Sequence, residues 1–259
     1  MLIQEDHVDL DTPVGVMRTF IFRPVAEGKF PGIVLFAEIY QMTGPIARTA
    51  RMLACHGYVV AVPEIYHDFE KPGSPFEYNK ADTDKGNAYK TEKTLQSYDD
   101  DARACIDHLL SRSDCSGRLG SVGICLGGHL SVRCAMNPEI QAGVSFYATD
   151  IHSRTLAKDM HDNTLDRFGD INGEMLMIWG KQDPHIPLEG RQLIYKTMTD
   201  ENVNFTWHEF NAQHAFIRDE GYRYNQPLAE ICNAMMFEMF DRVLQLGVVE
   251  PKASDKQSC

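Results

Sequence analysis

A chain of 259 residues with 43% hydrophobic and 24% charged content can bury a sizeable core, as one large α/β domain or two small ones, and global disorder is excluded. A formal net charge of −12 and a pI near 5.2 argue against nucleic acid and anionic membrane surfaces as partners, though a few local cations could still hold a small anionic substrate. Seven cysteines, an odd number without a CxxC pair, argue against a disulfide framework or a structural zinc site.

Residues 3–10 and 16–23 read as two strands of a leading antiparallel hairpin, joined by turn residues. The continuous apolar run 33–37 suits a strand buried on both faces, and Glu38 follows it at once, where open α/β sheets place their ligands. A helical pattern over 45–55 stops at Gly57, and 58–62 forms the next strand. Residues 64–94, with Pro72, Gly73, Pro75 and many aromatic residues, read as a long lid-like excursion. A helix over 95–111 leads to a strand over 119–124, a further helix, and a strand over 142–147. A second polar excursion, 150–172, carries a short helix. A strand over 174–179, a helix over 188–199, a strand over 203–210 and a helix over 227–246 close the chain. The charged stretch 250–259 reads as a frayed tail.

Strands alternating with helices, without repeats, predict one α/β domain over residues 1–249, built on a mainly parallel doubly wound sheet with helices on both faces. The amino terminus lacks a basic segment followed by an apolar one, and no apolar run is long enough to span a bilayer. The expectation is a cytoplasmic protein with no membrane partner.

The chemistry centres on residues 118–135. There Gly123-Ile124-Cys125-Leu126-Gly127 joins a strand to a helix in the pattern of a nucleophile elbow, with cysteine in place of the usual serine. A nucleophile on so sharp a turn needs neighbours without a Cβ, and the amino end of the following helix favours a thiolate and an oxyanion. Taken alone, the motif could equally be a tight βα turn with a buried filler cysteine.

Its companions fall at later strand ends. Asp183 lies in Gly180-Lys181-Gln182-Asp183 directly after Trp179, and His214 in the loop before the last helix. The order Cys125, Asp183, His214 is that of nucleophile, acid and base in α/β-hydrolases. His185, after a proline, reads as a surface residue. His7, His56, His67, His108, His129, His152, His161 and His208 read as solvent-facing or capping groups.

From about residue 10 to 246 the sequence resembles the dienelactone hydrolase family, a cysteine-dependent branch of the α/β-hydrolases. The resemblance is carried by Glu38-Ile39-Tyr40, Ala88-Tyr89-Lys90, the elbow, Gly180-Lys181-Gln182-Asp183 and His214-Ala215-Phe216-Ile217-Arg218. It implies that Cys125 attacks a lactone or ester carbonyl, with Asp183 and His214 completing the triad and Glu38 contacting the thiol to help form the thiolate. It further implies an oxyanion hole from the N–H groups of Leu126 and Ile39, and that Arg218, with Lys85 and Tyr89, binds the substrate. Lys85 stands where the family has a second carboxylate-binding arginine, Glu92 replaces an aromatic residue, and 150–172 is longer than the family's segment.

The expected protein is therefore a cofactor-independent and metal-independent hydrolase of a small, activated, anionic ester or lactone, acting as a monomer or weak homodimer. Three alternatives stand beside it: a broader carboxylesterase or thioesterase, a non-catalytic ligand-binding homologue, and a redox sensor built on Cys125.

Overall fold

The computed structural model describes residues 1–158 and 162–247, so the charged tail 250–259 and His161 lie outside the described residues. Strands β1 (Ile3–Thr12) and β2 (Gly15–Pro24) form the expected antiparallel hairpin. After β3 (Phe30–Phe36), helix α1 (Gly44–Cys55) starts with Pro45 in its first turn, where a missing N–H costs nothing, and buries Ile46, Ala50, Leu53 and Ala54. Strand β4 (Val59–Pro63) leads into the excursion, and here the sequence expectation fails in part. Residues Lys80–Glu92 form a helix, α2, capped by the Asn79 side chain, which accepts from the Asp82 N–H.

Helix α3 (Leu95–Ser111) precedes β5 (Cys115–Ile124), which begins four residues earlier than the apolar run indicates, with its register shifting between Phe30 and Gly32 of β3. Helix α4 (Leu126–Cys134), β6 (Ile140–Phe146), β7 (Glu174–Gly180), α5 (Leu188–Asp200), β8 (Asn204–Phe210) and α6 (Gln226–Phe240) follow. The short helix expected within 150–172 is a 3-10 turn over Leu165–Asp170. The closing helix gives way to a π-turn over Asp241–Gln245.

The eight strands make one sheet in the order β1-β2-β4-β3-β5-β6-β7-β8, parallel from β4 to β8 and antiparallel at the hairpin edge. Chain progression reverses at β3. Because crossovers between parallel strands are right-handed, α1 packs on one face while α3 and α4 pack together on the other. Central strands are largely apolar, with Val34, Leu35, Val60, Val122, Val144 and Ile178 fully buried. Each such side chain contributes about 1.5–3 kcal/mol on leaving water. The reversal leaves a crevice beyond the carboxyl ends of β3 and β5, the position where open α/β sheets bind ligands. Among the described residues no helix is long and apolar enough to cross a membrane.

Candidate active site

Cys125 is the first residue past β5 and the cap of α4, held at φ 62° and ψ −120°. A non-glycine residue takes such angles only when its surroundings enforce them, and the neighbouring glycines provide this. A Cβ on Gly123 would overlap the Gly127 carbonyl, and one on Gly127 would overlap the carbonyl of Phe36 at the end of β3. The close approach of β5, α4 and β3 therefore lifts the sulfur to the sheet edge. Leu126 is the first residue of α4, so its N–H has no partner within the helix.

Two loops are zipped together to bring acid and base into register. The Lys181 N–H donates to Phe210 O at 2.8 Å and the Gln182 N–H to Ala212 O at 3.0 Å. Gly180 permits this, because a Cβ there would stand 2.5 Å from the Ala212 carbonyl oxygen. His214 Nδ1 then donates to Asp183 Oδ2 at 2.6 Å, and Cys125 and His214 line the same cavity. Asp183 is 3% exposed and His214 7%. Burial alone would push the imidazole pKa down. The neighbouring Cys125 sulfur, followed by the Asp183 hydrogen bond, overcomes this and holds it up at about 10.

Glu38, two residues past β3, is buried, and burial pushes its carboxyl up despite the opposing charges of Arg218 and His214. Its oxygens meet the Tyr78 hydroxyl at 3.3 Å and Arg218 Nη1 at 3.5 Å. The expected contact partner was the thiol; here the carboxyl is held by Tyr78 and Arg218. The Arg218 guanidinium also lies 4.2 Å from the centre of the Tyr78 ring.

A cavity of about 560 Å³ has Cys125, His214, Glu38, Ile39 and Arg218 in its walls. Lys85 and Tyr89 are not among its lining residues. Helix α2 turns them outward: the Lys85 ammonium pairs with Glu70, the Tyr89 hydroxyl donates to Glu70 at 2.8 Å, and the Tyr89 ring stacks on Phe69 at 4.6 Å. The face that α2 presents to the cavity carries Thr83, Asn87 and Lys90 instead. A smaller cavity of about 130 Å³ lies behind the Glu38 and Arg218 side chains, between α1 and α6. It does not reach Cys125, so the larger one is the candidate site.

Helix α2 approaches the loop after β3 through Gly86, where a Cβ would stand 2.6 Å from the Ile39 carbonyl oxygen. Gly86→Ala is therefore expected to displace the Ile39 backbone, lowering kcat/KM by about tenfold or more and the thermal midpoint by a few degrees, as overpacking does. Alanine is the better helix former by about 1 kcal/mol, so a raised midpoint in a thermal melt would contradict this account.

Several histidines correct the surface assignment. His129 is fully buried, with Nδ1 2.9 Å from Thr149 O and Nε2 2.7 Å from Thr164 Oγ1, and burial pushes its pKa down to about 4. His67 Nε2 lies 2.9 Å from Asp101 Oδ1, beneath the excursion. His152 lines the cavity, as does His185, whose ring meets that of His214 edge-on at 4.7 Å. Burial and the neighbouring His214 charge hold His185 below the usual histidine range. The backbone N–H of His185 donates to Asp183 Oδ1 at 2.9 Å, so this residue also steadies the acid.

An eight-stranded, largely parallel sheet with a strained cysteine at a βα turn, followed in chain order by an acid and a histidine, defines the α/β-hydrolase class. The sequence profile of the dienelactone hydrolase family matches residues 17–244, and the chain belongs to that family. The Saccharomyces cerevisiae protein named "Putative carboxymethylenebutenolidase" is 42% identical over 262 residues, covering 96% of each chain. A "Carboxymethylenebutenolidase" from a Pseudomonas species is 25% identical over 230 residues, covering 86% of this chain and 90% of its own. Among solved structures, a "Putative Dienelactone Hydrolase from Klebsiella pneumoniae" matches with a TM-score of 0.78 at 23% identity, covering 93% of this chain and 100% of its own, a likeness of fold. Family membership makes the protein a hydrolase of ester or lactone bonds.

Proposed function

We propose that the protein cleaves activated esters or lactones through an acyl-thioester on Cys125. The observation that carries this reading is that Cys125 and His214 line one cavity, with His214 Nδ1 donating to the buried Asp183 carboxylate behind it.

The reacting pair is thiolate and imidazolium. The sulfur attacks the carbonyl carbon, and the oxygen gains negative charge facing the Leu126 and Ile39 N–H groups. Collapse breaks the bond to the leaving oxygen, which takes the proton from His214. A thiolate is a strong nucleophile and an enolate a good leaving group, so enol esters and enol lactones suit the site better than alkyl esters or amides.

The electrostatics then reverse. Acylation removes the sulfur's charge, which is the largest influence holding the His214 pKa up, and burial is left to push it down. The neutral imidazole can now take a proton from water. The hydroxide equivalent adds to the thioester carbonyl, the C–S bond breaks, and the acid product leaves with thiolate and imidazolium restored. Asp183 holds the imidazole in its tautomer throughout. Glu38 would take the thiol proton whenever its pair with Arg218 opens, its raised pKa suiting it to that part.

A hydrolysis panel tests the substrate class. Enol lactones and enol esters are expected to exceed alkyl esters of the same acyl group in kcat/KM by about 100-fold or more, as leaving-group dependence in acylation requires. Equal rates on alkyl esters or on acyl thioesters would move the assignment to a broader carboxylesterase or thioesterase.

The raised imidazolium gives a pH test. With His214 keeping its proton up to about pH 10, kcat/KM on an enol lactone is expected to fall on the alkaline side only as the pH passes about 10, where the imidazolium that protonates the leaving oxygen is lost. An alkaline limb centred at about pH 7, read from initial rates corrected for hydroxide-catalysed hydrolysis, would contradict this account.

A further inference from the structure

The hydrogen bond from His214 Nδ1 to Asp183 fixes one point of the imidazole and leaves the ring free to turn about that bond. Two further rings meet it edge-on. The Tyr147 ring lies 4.9 Å away, centre to centre, with its plane inclined by 65°, and the His185 ring lies 4.7 Å away at 70°. Among the described residues no ring contact joins Tyr147 to His185, so the two flank the imidazole from different sides. Tyr147 is fully buried, whereas His185 stands part-exposed on the cavity wall. Both are held by their backbones. Tyr147 sits at φ 39°, a strained value for an aromatic residue, and its N–H donates to Ile178 O at 2.7 Å. The His185 N–H donates to Asp183 Oδ1, and Pro184 stiffens the chain before it. The Tyr147 hydroxyl has no hydrogen-bond partner among the described residues, so the position uses the ring and not the hydroxyl.

We infer that Tyr147 and His185 are positioning residues for the hydrolysis, two rings that clamp the His214 imidazole in the plane that serves both Cys125 and Asp183. This deepens the hydrolase reading above and rests on it. Before acylation the negative sulfur attracts the imidazolium and helps to hold it in place. In the acyl-enzyme that attraction is gone and the imidazole is neutral, so a turn about the Asp183 bond would swing Nε2 away from the thioester. The flanking rings oppose that turn, and an edge-on aromatic pair favours its own orientation by about two- to tenfold. The clamp therefore acts chiefly on deacylation, where the imidazole must aim a water at the thioester carbonyl. Partial burial, then the His214 charge, keeps His185 below the usual histidine range, so it flanks the imidazolium as a neutral ring and not as a second cation.

The test uses 4-nitrophenyl acetate, whose good leaving group makes acylation fast, so that kcat follows deacylation while kcat/KM follows acylation. Rates are corrected for the Cys125→Ala background. His185→Ala removes the outer ring from the cavity wall and leaves the core intact. It is expected to lower kcat by about fivefold or more while kcat/KM stays within about twofold of wild type. His185→Phe restores a ring without nitrogens and is expected to bring kcat back to within about twofold of wild type. Tyr147→Phe keeps the inner ring, removes only the unpartnered hydroxyl, and is expected to hold kcat within the same about twofold limit. An unchanged kcat in His185→Ala, an equal fall in its kcat and kcat/KM, or a His185→Phe variant as slow as His185→Ala would each overturn the clamp and leave the hydrolase reading intact. A fall in kcat of about fivefold or more in Tyr147→Phe would overturn it as well. Should the wild type itself not exceed the Cys125→Ala background, the hydrolase reading falls, and this inference with it.

Discussion

Cys125→Ala is expected to lower kcat on an enol lactone by about 10⁵- to 10⁶-fold, the scale on which loss of a nucleophile acts when its partners cannot work without it. The fold should survive. The turn at Cys125 is imposed by Gly123, Gly127 and the carbonyl of Phe36, none of which the substitution touches. Alanine at φ 62° bears the same strain that cysteine bears, so the thermal midpoint is expected to stay within a few degrees of wild type. Steady-state kinetics against a melting curve separates the two effects. Retained turnover with the sulfur gone would remove Cys125 from the chemistry.

Asp183→Asn is expected to cost about 10⁴-fold in kcat with little change in KM. Its carboxylate accepts from His214 Nδ1 at 2.6 Å through one oxygen and from the His185 N–H at 2.9 Å through the other. An amide can present its oxygen to only one of them. If that one is the His185 N–H, the amide NH₂ faces Nδ1 and forces the imidazole into the tautomer that cannot take a proton from water. The substitution also removes a negative charge that raises the His214 pKa. Imidazolium is then lost at lower pH, and the alkaline limb of kcat/KM moves down the pH scale. A drop confined to KM, with kcat untouched, would show that Asp183 serves binding rather than proton transfer.

How far the site could be read beforehand depended on whether steric necessity was written in residue types. The elbow was legible because only glycine can occupy 123 and 127 when three backbones converge. The strand-end positions of Asp183 and His214 followed from apolar runs ending at Trp179 and Phe210. The face of α2 was not legible. Its few apolar residues give no helical stripe, and Gly86 and the preceding prolines make the segment look like loop. With no helix expected there, nothing could show that Lys85 and Tyr89 turn outward while Thr83, Asn87 and Lys90 turn in. Gly86 was the available signal, since a mid-helix glycine costs about 1 kcal/mol and implies a close approach.

The histidines failed for a related reason. His129 follows the elbow glycines by one residue and belongs to a helix buried along its whole length. Its Nδ1 contact with Thr149 O ties α4 to the loop carrying Asp150. His185 differs again: proline before it and its place beyond a strand end masked its position against the His214 ring. Residue spacing places a side chain along the chain, but packing decides which neighbour it meets.

The most direct test of the central claim is intact-protein mass spectrometry during single turnover of an enol lactone, using a His214→Gln variant to slow deacylation and peptide mapping to locate the adduct. The account predicts a mass increase equal to one acyl group, carried as a hydroxylamine-labile thioester on the peptide containing Cys125. Substrate hydrolysis with the acyl group on another residue, or hydrolysis by wild type that persists when Cys125 is alkylated, would contradict it.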